Sequence, residues 1–123
     1  MNQSTNQVVK QFTPREFHAH LYYGPHNLPE AKWLATKLRA ELGLMTGFMH
    51  QQPIGPHPVW SCGVHFPVEK FATVVQWLMF NRGTLDILVH PDTGDDMVDH
   101  SAHVVWLGRS YDLKMAAFTT TLK

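Results

Sequence analysis

The stretch Phe17-His18-Ala19-His20-Leu21-Tyr22-Tyr23 decides how this chain reads. Side chains alternate faces along a strand, so Phe17, Ala19 and Leu21 point one way while His18 and His20 point the other. Two later stretches repeat the pattern, Cys62-Gly63-Val64-His65-Phe66 and Ile87-Leu88-Val89-His90-Pro91. In each, a histidine faces away from the residues suited to a core. Three strands whose apolar sides meet one core therefore place His18, His20, His65 and His90 together on the opposite face.

The segments around these strands complete a fold. The first strand, Glu16 to Tyr23, breaks at Gly24-Pro25. Asn27 then stands as a helix cap, with Glu30 at capping-box spacing, and Ala31, Leu34, Ala35, Leu38 and Leu42 form one apolar stripe that Gly43 ends. Met45 to Gln52 is a weaker strand candidate, and Pro53-Ile54-Gly55-Pro56-His57-Pro58 is a rigid loop. After the strand Val59 to Phe66, the residues Val68, Phe71, Ala72, Val75, Leu78 and Met79 suggest a second helix, closed near Asn81-Arg82-Gly83. A fourth strand spans Leu85 to His90.

The order strand, helix, strand, strand, helix, strand is that of an α+β, ferredoxin-like βαββαβ sandwich with both helices on one sheet face. Its first and third strands are central and its fourth lies beside the first, leaving the histidine face uncovered. His65 and His90 both stand near the C-terminal ends of oppositely running strands, so His65 is expected at one end of the first strand and His90 at the other. Beyond the fourth strand, Asp92-Thr93-Gly94-Asp95-Asp96 reads as a solvated turn, lacking the longer loop and terminal glutamate of an EF-hand. Ala102 to Leu107 is an additional C-terminal extended segment that covers the open face, pairs with a sheet edge or exchanges with a second subunit.

Bulk properties narrow the partners. The chain of 123 residues, 44% hydrophobic, suits one domain over residues 15–123 behind a flexible N-terminal tail, residues 1–14. Ten basic and ten acidic residues cancel without long runs, so the chain lacks the footprint of a nucleic-acid or anionic-membrane binder. No stretch reaches the roughly 18 apolar residues of a membrane span, and residues 1–11 lack the apolar core of a secretory signal. The expectation is a cytoplasmic protein, associating as a homodimer through its open sheet. The single cysteine, Cys62, has core parity and reads as a small buried hydrophobe. Histidine is the unusual component, with nine copies. Imidazole is the commonest side-chain metal ligand and titrates near neutrality, so the shared face points to a metal centre or an acid/base site. Trp33, Trp60 and Trp77 are assigned to packing; Trp106, in the extra segment, stands apart.

Phe17 to Tyr23, Gly55-Pro56-His57-Pro58, His90 to Asp96 and Asp99-His100-Ser101-Ala102-His103-Val104-Val105-Trp106-Leu107-Gly108 together resemble the DOPA 4,5-dioxygenase family. The resemblance spans almost the whole chain after the tail. It implies a small ferredoxin-like enzyme that inserts both atoms of O2 into a DOPA-like or other small catechol and opens the ring beside the diol. Such cleavage needs a redox-active metal, Fe(2+) first, with vacant positions for substrate and O2; Zn(2+) or another divalent metal would also occupy a histidine-rich site.

His18, His20, and His65 or His90 are the candidate ligands, and Glu16, of the same strand parity, leaves a His-His-Glu set open. His57, between two prolines, is the loop candidate for acid/base work. His103 and His100 follow, with Asp99 as the carboxylate that orients a histidine and Tyr22 as a donor to bound oxygen. The alternative is a non-catalytic metal- or small-ligand-binding ferredoxin-like dimer.

Overall fold

A computed structural model describes residues 8–119; the first seven residues of the expected tail lie outside the described residues. The elements are β1 (Glu16–Tyr23), α1 (Leu28–Leu42), β2 (Met45–Thr46), β3 (Trp60–Phe66), α2 (Phe71–Asn81), β4 (Asp86–Asp92), α3 (Asp96–Asp99) and β5 (Val105–Leu107). The strands form one antiparallel sheet in the order β2-β3-β1-β4-β5. This is the expected ferredoxin-like arrangement with one strand added. The C-terminal segment pairs with the β4 edge, one of its three expected placements.

Ala19, Leu21, Cys62, Val64, Phe66, Ile87 and Val89 pack with Ala31, Leu34, Ala35 and Leu38 of α1 and Val74, Val75 and Leu78 of α2 in one core. Both long helices therefore cover the same sheet face, as the strand parity requires. Phe17 seals one end, with its ring 4.6 Å from that of Phe71. Cys62 is fully buried, which pushes its thiol up to about 11. Among the described residues no helix is long and apolar enough to cross a membrane.

The structure corrects several sequence-based expectations. α2 buries Val74, Val75 and Leu78 and half-buries Phe71, while Ala72 and Met79 are exposed and Val68 falls in a preceding 3-10 turn. The run Phe71-Ala72-Thr73-Val74-Val75-Gln76-Trp77-Leu78-Met79-Phe80 is apolar on too many sides for periodicity to single out one face. Asn27 and Glu30 do not form a capping box. Asn27 instead accepts from the Gly24 N–H at 2.8 Å, and Glu30 accepts from the Thr84 N–H at 2.9 Å, so the pair ties the start of α1 to the turn before it and to the loop between α2 and β4. Gly43 ends α1 as expected, with φ of 65° and its N–H on the Arg39 carbonyl.

The Met45 to Gln52 strand shrinks to two residues. Beyond it the chain follows β3 only through the Gly47 N–H to the Gly63 carbonyl at 2.7 Å and the His50 N–H to the Ser61 carbonyl at 3.0 Å. Nor is the histidine face open along its length. Tyr22, Leu88 and His90 are each at most 3% exposed. The chain after β5 turns back over them: Tyr111 packs on Tyr22 at 5.1 Å, Phe118 on His100 at 4.6 Å, and the Lys114 N–H donates to the Pro56 carbonyl at 2.8 Å.

Candidate metal and acid/base site

β1 is the spine of the site. Its residues Glu16, His18, His20 and Tyr22 share the face away from the helices, and pairing on both sides builds cross-strand rows. His65 and His90 both lie opposite His18; Gly63 and Leu88 flank His20; Ser61 and Asp86 flank Tyr22. This overturns the expectation that His65 and His90 sit at opposite ends of β1. Both β3 and β4 are antiparallel to β1, so they run in the same direction and their C-terminal ends meet the same half of it.

The rows bring four strand histidines together. His20 Nε2 lies 3.1 Å from His90 Nε2, and ligand atoms of His18, His20 and His90 all fall within 4.8 Å of one another. On the other side, the His18 ring stacks on His65 at 3.9 Å, and Glu16 Oε2 lies 2.8 Å from His18 Nε2 and 3.3 Å from His65 Nδ1. His90 Nδ1 is 2.8 Å from the Pro91 carbonyl, which holds that nitrogen as the N–H donor and leaves Nε2 as a lone pair.

The proline loop supplies the next imidazole. His57 N–H bonds the Ile54 carbonyl at 3.0 Å, and the ring is buried 4.2 Å from His20. Its Nδ1 meets the Tyr22 hydroxyl at 2.7 Å. Tyr22 is only 1% exposed and its hydroxyl is engaged by His57, so it touches a histidine where a contact to bound oxygen was expected. Tyr111, Trp106 and Tyr22 pack into an aromatic wall beside it, and Tyr111 donates to Asp86 at 2.7 Å.

The segment after β4 divides its candidates. His100 enters the cluster, 4.0 Å from His90 and 6.2 Å from His20, with its Nδ1 donating to the Asp96 carbonyl. His103 stays outside, with its Nδ1 3.0 Å from Asp99 Oδ1. Asp99 is 1% exposed and also accepts from Thr93 N and Thr93 Oγ1 at 2.7 and 2.8 Å. Although burial opposes its charge, the bonds from His103 and Thr93 hold its carboxyl below the usual range. Asp99→Ala removes three hydrogen bonds around the turn after β4, so unfolding should cost about 2–3 kcal/mol less in denaturant titrations. An unchanged midpoint would remove this fastening role.

Burial disfavours the charged form of three of these imidazoles, His20, His57 and His90. Burial first, then repulsion from His57, His90, His100 and His18, holds His20 well below its ordinary value. Burial, with His100, His90 and His50, brings His57 down to about 4. His90 also falls to about 4, burial outweighing the support of the Pro91 carbonyl. Neutral imidazole is the metal-binding form. The donor set therefore fits a divalent cation: His20 and His90 offer nitrogens at the spacing of adjacent ligands, with His18 within reach. A cleft of about 890 Å³ opens beside His20, lined also by His57, His65, Gly63 and the apolar Leu44, Ile54 and Phe66. Its size suits a small aromatic ligand.

A five-stranded ferredoxin-like sheet carrying neutral imidazoles beside a cleft defines a small α+β protein with a candidate metal centre on its sheet face. The chain belongs to the Dopa 4,5-dioxygenase family, whose model matches residues 17–117. It is 35% identical over 120 residues to the DOPA 4,5-dioxygenase of Amanita muscaria, covering 89% of this chain and 52% of that protein. An uncharacterised 21.2 kDa protein of Botryotinia fuckeliana is 33% identical over 81% of this chain and 61% of its own length. The chain thus spans little more than half the length of these relatives. A Nostoc punctiforme crystal structure described as a candidate dioxygenase superposes with a TM-score of 0.85 at 38% identity, over 88% of this chain and 94% of that one.

Proposed function

We propose that the protein is a metal-dependent extradiol dioxygenase that opens the ring of a small, DOPA-like catechol with O2. The observation that carries this reading is the His20–His90 pair, two neutral imidazoles with Nε2 atoms 3.1 Å apart beside a cleft large enough to admit a catechol. Family membership supplies the reaction class. His18, His20 and His90 would hold Fe(2+). Bound there, the ion would supply simultaneous binding of catechol and O2 and electron exchange between them.

The remaining residues manage protons and position. His57 is neutral at pH 7 and sits against His20, so it takes a catechol hydroxyl proton at Nε2 and returns it as the ring opens. In the tautomer with hydrogen on Nδ1, His57 donates to the Tyr22 oxygen, which fixes the ring and leaves the Nε2 lone pair free. The phenol is itself held protonated by burial and by Tyr111. Asp99 and His103 fasten the turn that carries His100. Both atoms of O2 end in the product, so one ring consumes one O2 and no outside reductant.

Room for the ring comes from Gly63. A Cβ there would lie 3.6 Å from His20 Nδ1, an ordinary contact, so alanine fits and a large side chain fills the cleft. Gly63→Phe should raise KM for the catechol by about tenfold or more while iron content holds, because ground-state binding is lost and the ligands are untouched. An unchanged KM would move the substrate elsewhere. The overall test is oxygen uptake by protein loaded anaerobically with Fe(2+), across a catechol panel that includes DOPA. Uptake of one O2 per catechol supports the enzyme; intact catechol at full iron occupancy favours a binding protein.

A further inference from the structure

We propose that Glu16, His18 and His65 form a second divalent-cation site at the mouth of the cleft, able to take a zinc-class ion and drawing on His18 of the first centre. His18's place in that first centre rests on the functional reading above; the second site stands on its own geometry. Glu16 Oε2 lies 2.8 Å from His18 Nε2 and 3.3 Å from His65 Nδ1, and the three ligand atoms fall within 4.8 Å of one another. Adjacent ligands around an ion with bonds of about 2.1 Å are about 3.0–3.4 Å apart, so little movement is needed to admit one. Two imidazoles and one carboxylate make a donor set that suits zinc, nickel or ferrous iron.

The ladder makes this arrangement rigid. Glu16 and His18 are two apart on one face of β1, and His65 is the direct cross-strand partner of His18 on β3. The parallel His18 and His65 rings, 8° apart in plane, aim their nitrogens at one carboxylate oxygen. Among the described residues no lysine or arginine pairs with Glu16; neighbouring Arg15 pairs with Asp92 instead. The carboxylate charge is therefore available to a cation.

Access differs between the two sites. The His65 side chain is 58% exposed and that of Glu16 is 35% exposed, whereas His90 is 3% exposed. The outer site exchanges with solvent directly. An ion bound there competes for His18, so divalent metal beyond one equivalent weakens the inner centre.

Calorimetric titration of the metal-free full-length chain with Zn(2+) tests this. The wild type should take up two ions, the second about tenfold or more weaker because it shares a ligand. Glu16→Gln and His65→Ala, tested separately and checked for folding by circular dichroism, should each remove the second step and keep the first. A single step in the wild type, or a second step that survives both substitutions, would overturn the site and leave the trio as hydrogen-bonded side chains. His90→Ala is the separate control for the inner centre. Loss of its first step supports that centre, and an unchanged first step counts against it without touching the outer site.

Discussion

His20→Ala is expected to abolish iron-supported oxygen uptake, by more than about 100-fold, while leaving the fold intact. Loss of a partner that merely orients a metal ligand already costs about 10–100-fold, and His20 is placed to be a ligand itself. It is the imidazole on which the site converges: 3.1 Å from His90 by its Nε2, 4.2 Å from His57 between ring centres, and at the wall of the cleft. The substitution leaves a β1 position whose core-side neighbours, Ala19 and Leu21, still anchor the strand. Metal content by elemental analysis and oxygen uptake should fall together. Retained uptake with full iron would move the centre away from the His20–His90 pair.

Acidification of the metal-free protein should have the largest effect on stability. The unfolded chain binds protons at its histidines near pH 6.5, whereas folded His57 and His90 bind theirs only near 4. Their contribution is fully present above pH 6.5 and is lost as pH falls towards 4, since the unfolded state then binds more protons. His20 adds in the same direction. The expected loss is on the order of 3–5 kcal/mol, a large part of the stability of a small domain. Denaturant midpoints between pH 7.5 and 4.5 would read it, and His90→Gln should flatten the dependence. A midpoint independent of pH across that window would mean that the folded imidazoles titrate normally.

Much of the scaffold is legible in residue order because strand parity is a local property. Phe17, Ala19 and Leu21 face the helices and His18 and His20 do not, and no long-range information is needed to see it. Strand direction is another matter. Alternation assigns faces but does not say which ends of β3 and β4 meet β1, so the row His65–His18–His90 emerges only from the pairing. The apolar run of α2 hides its buried face for a related reason, having no polar side to mark the surface.

Around the site, legibility falls with sequence distance. His57 could be singled out because prolines flank it, yet its contact with Tyr22 joins residues 35 positions apart. His100 and His103 look equivalent by residue type. The four-residue helix α3, capped by Asp95, turns His100 towards His90 and leaves His103 on Asp99. The cover over the histidine face is least legible of all. Tyr111 and Phe118 lie in an aperiodic stretch, and their packing depends on where β5 leaves the sheet.

The most direct measurement is the mass of the product formed from DOPA by the Fe(2+)-loaded protein under 18O2. The account predicts a ring-opened product carrying both labelled atoms, absent when His20 is replaced. Unreacted DOPA, or a quinone without label, would contradict extradiol cleavage at this site.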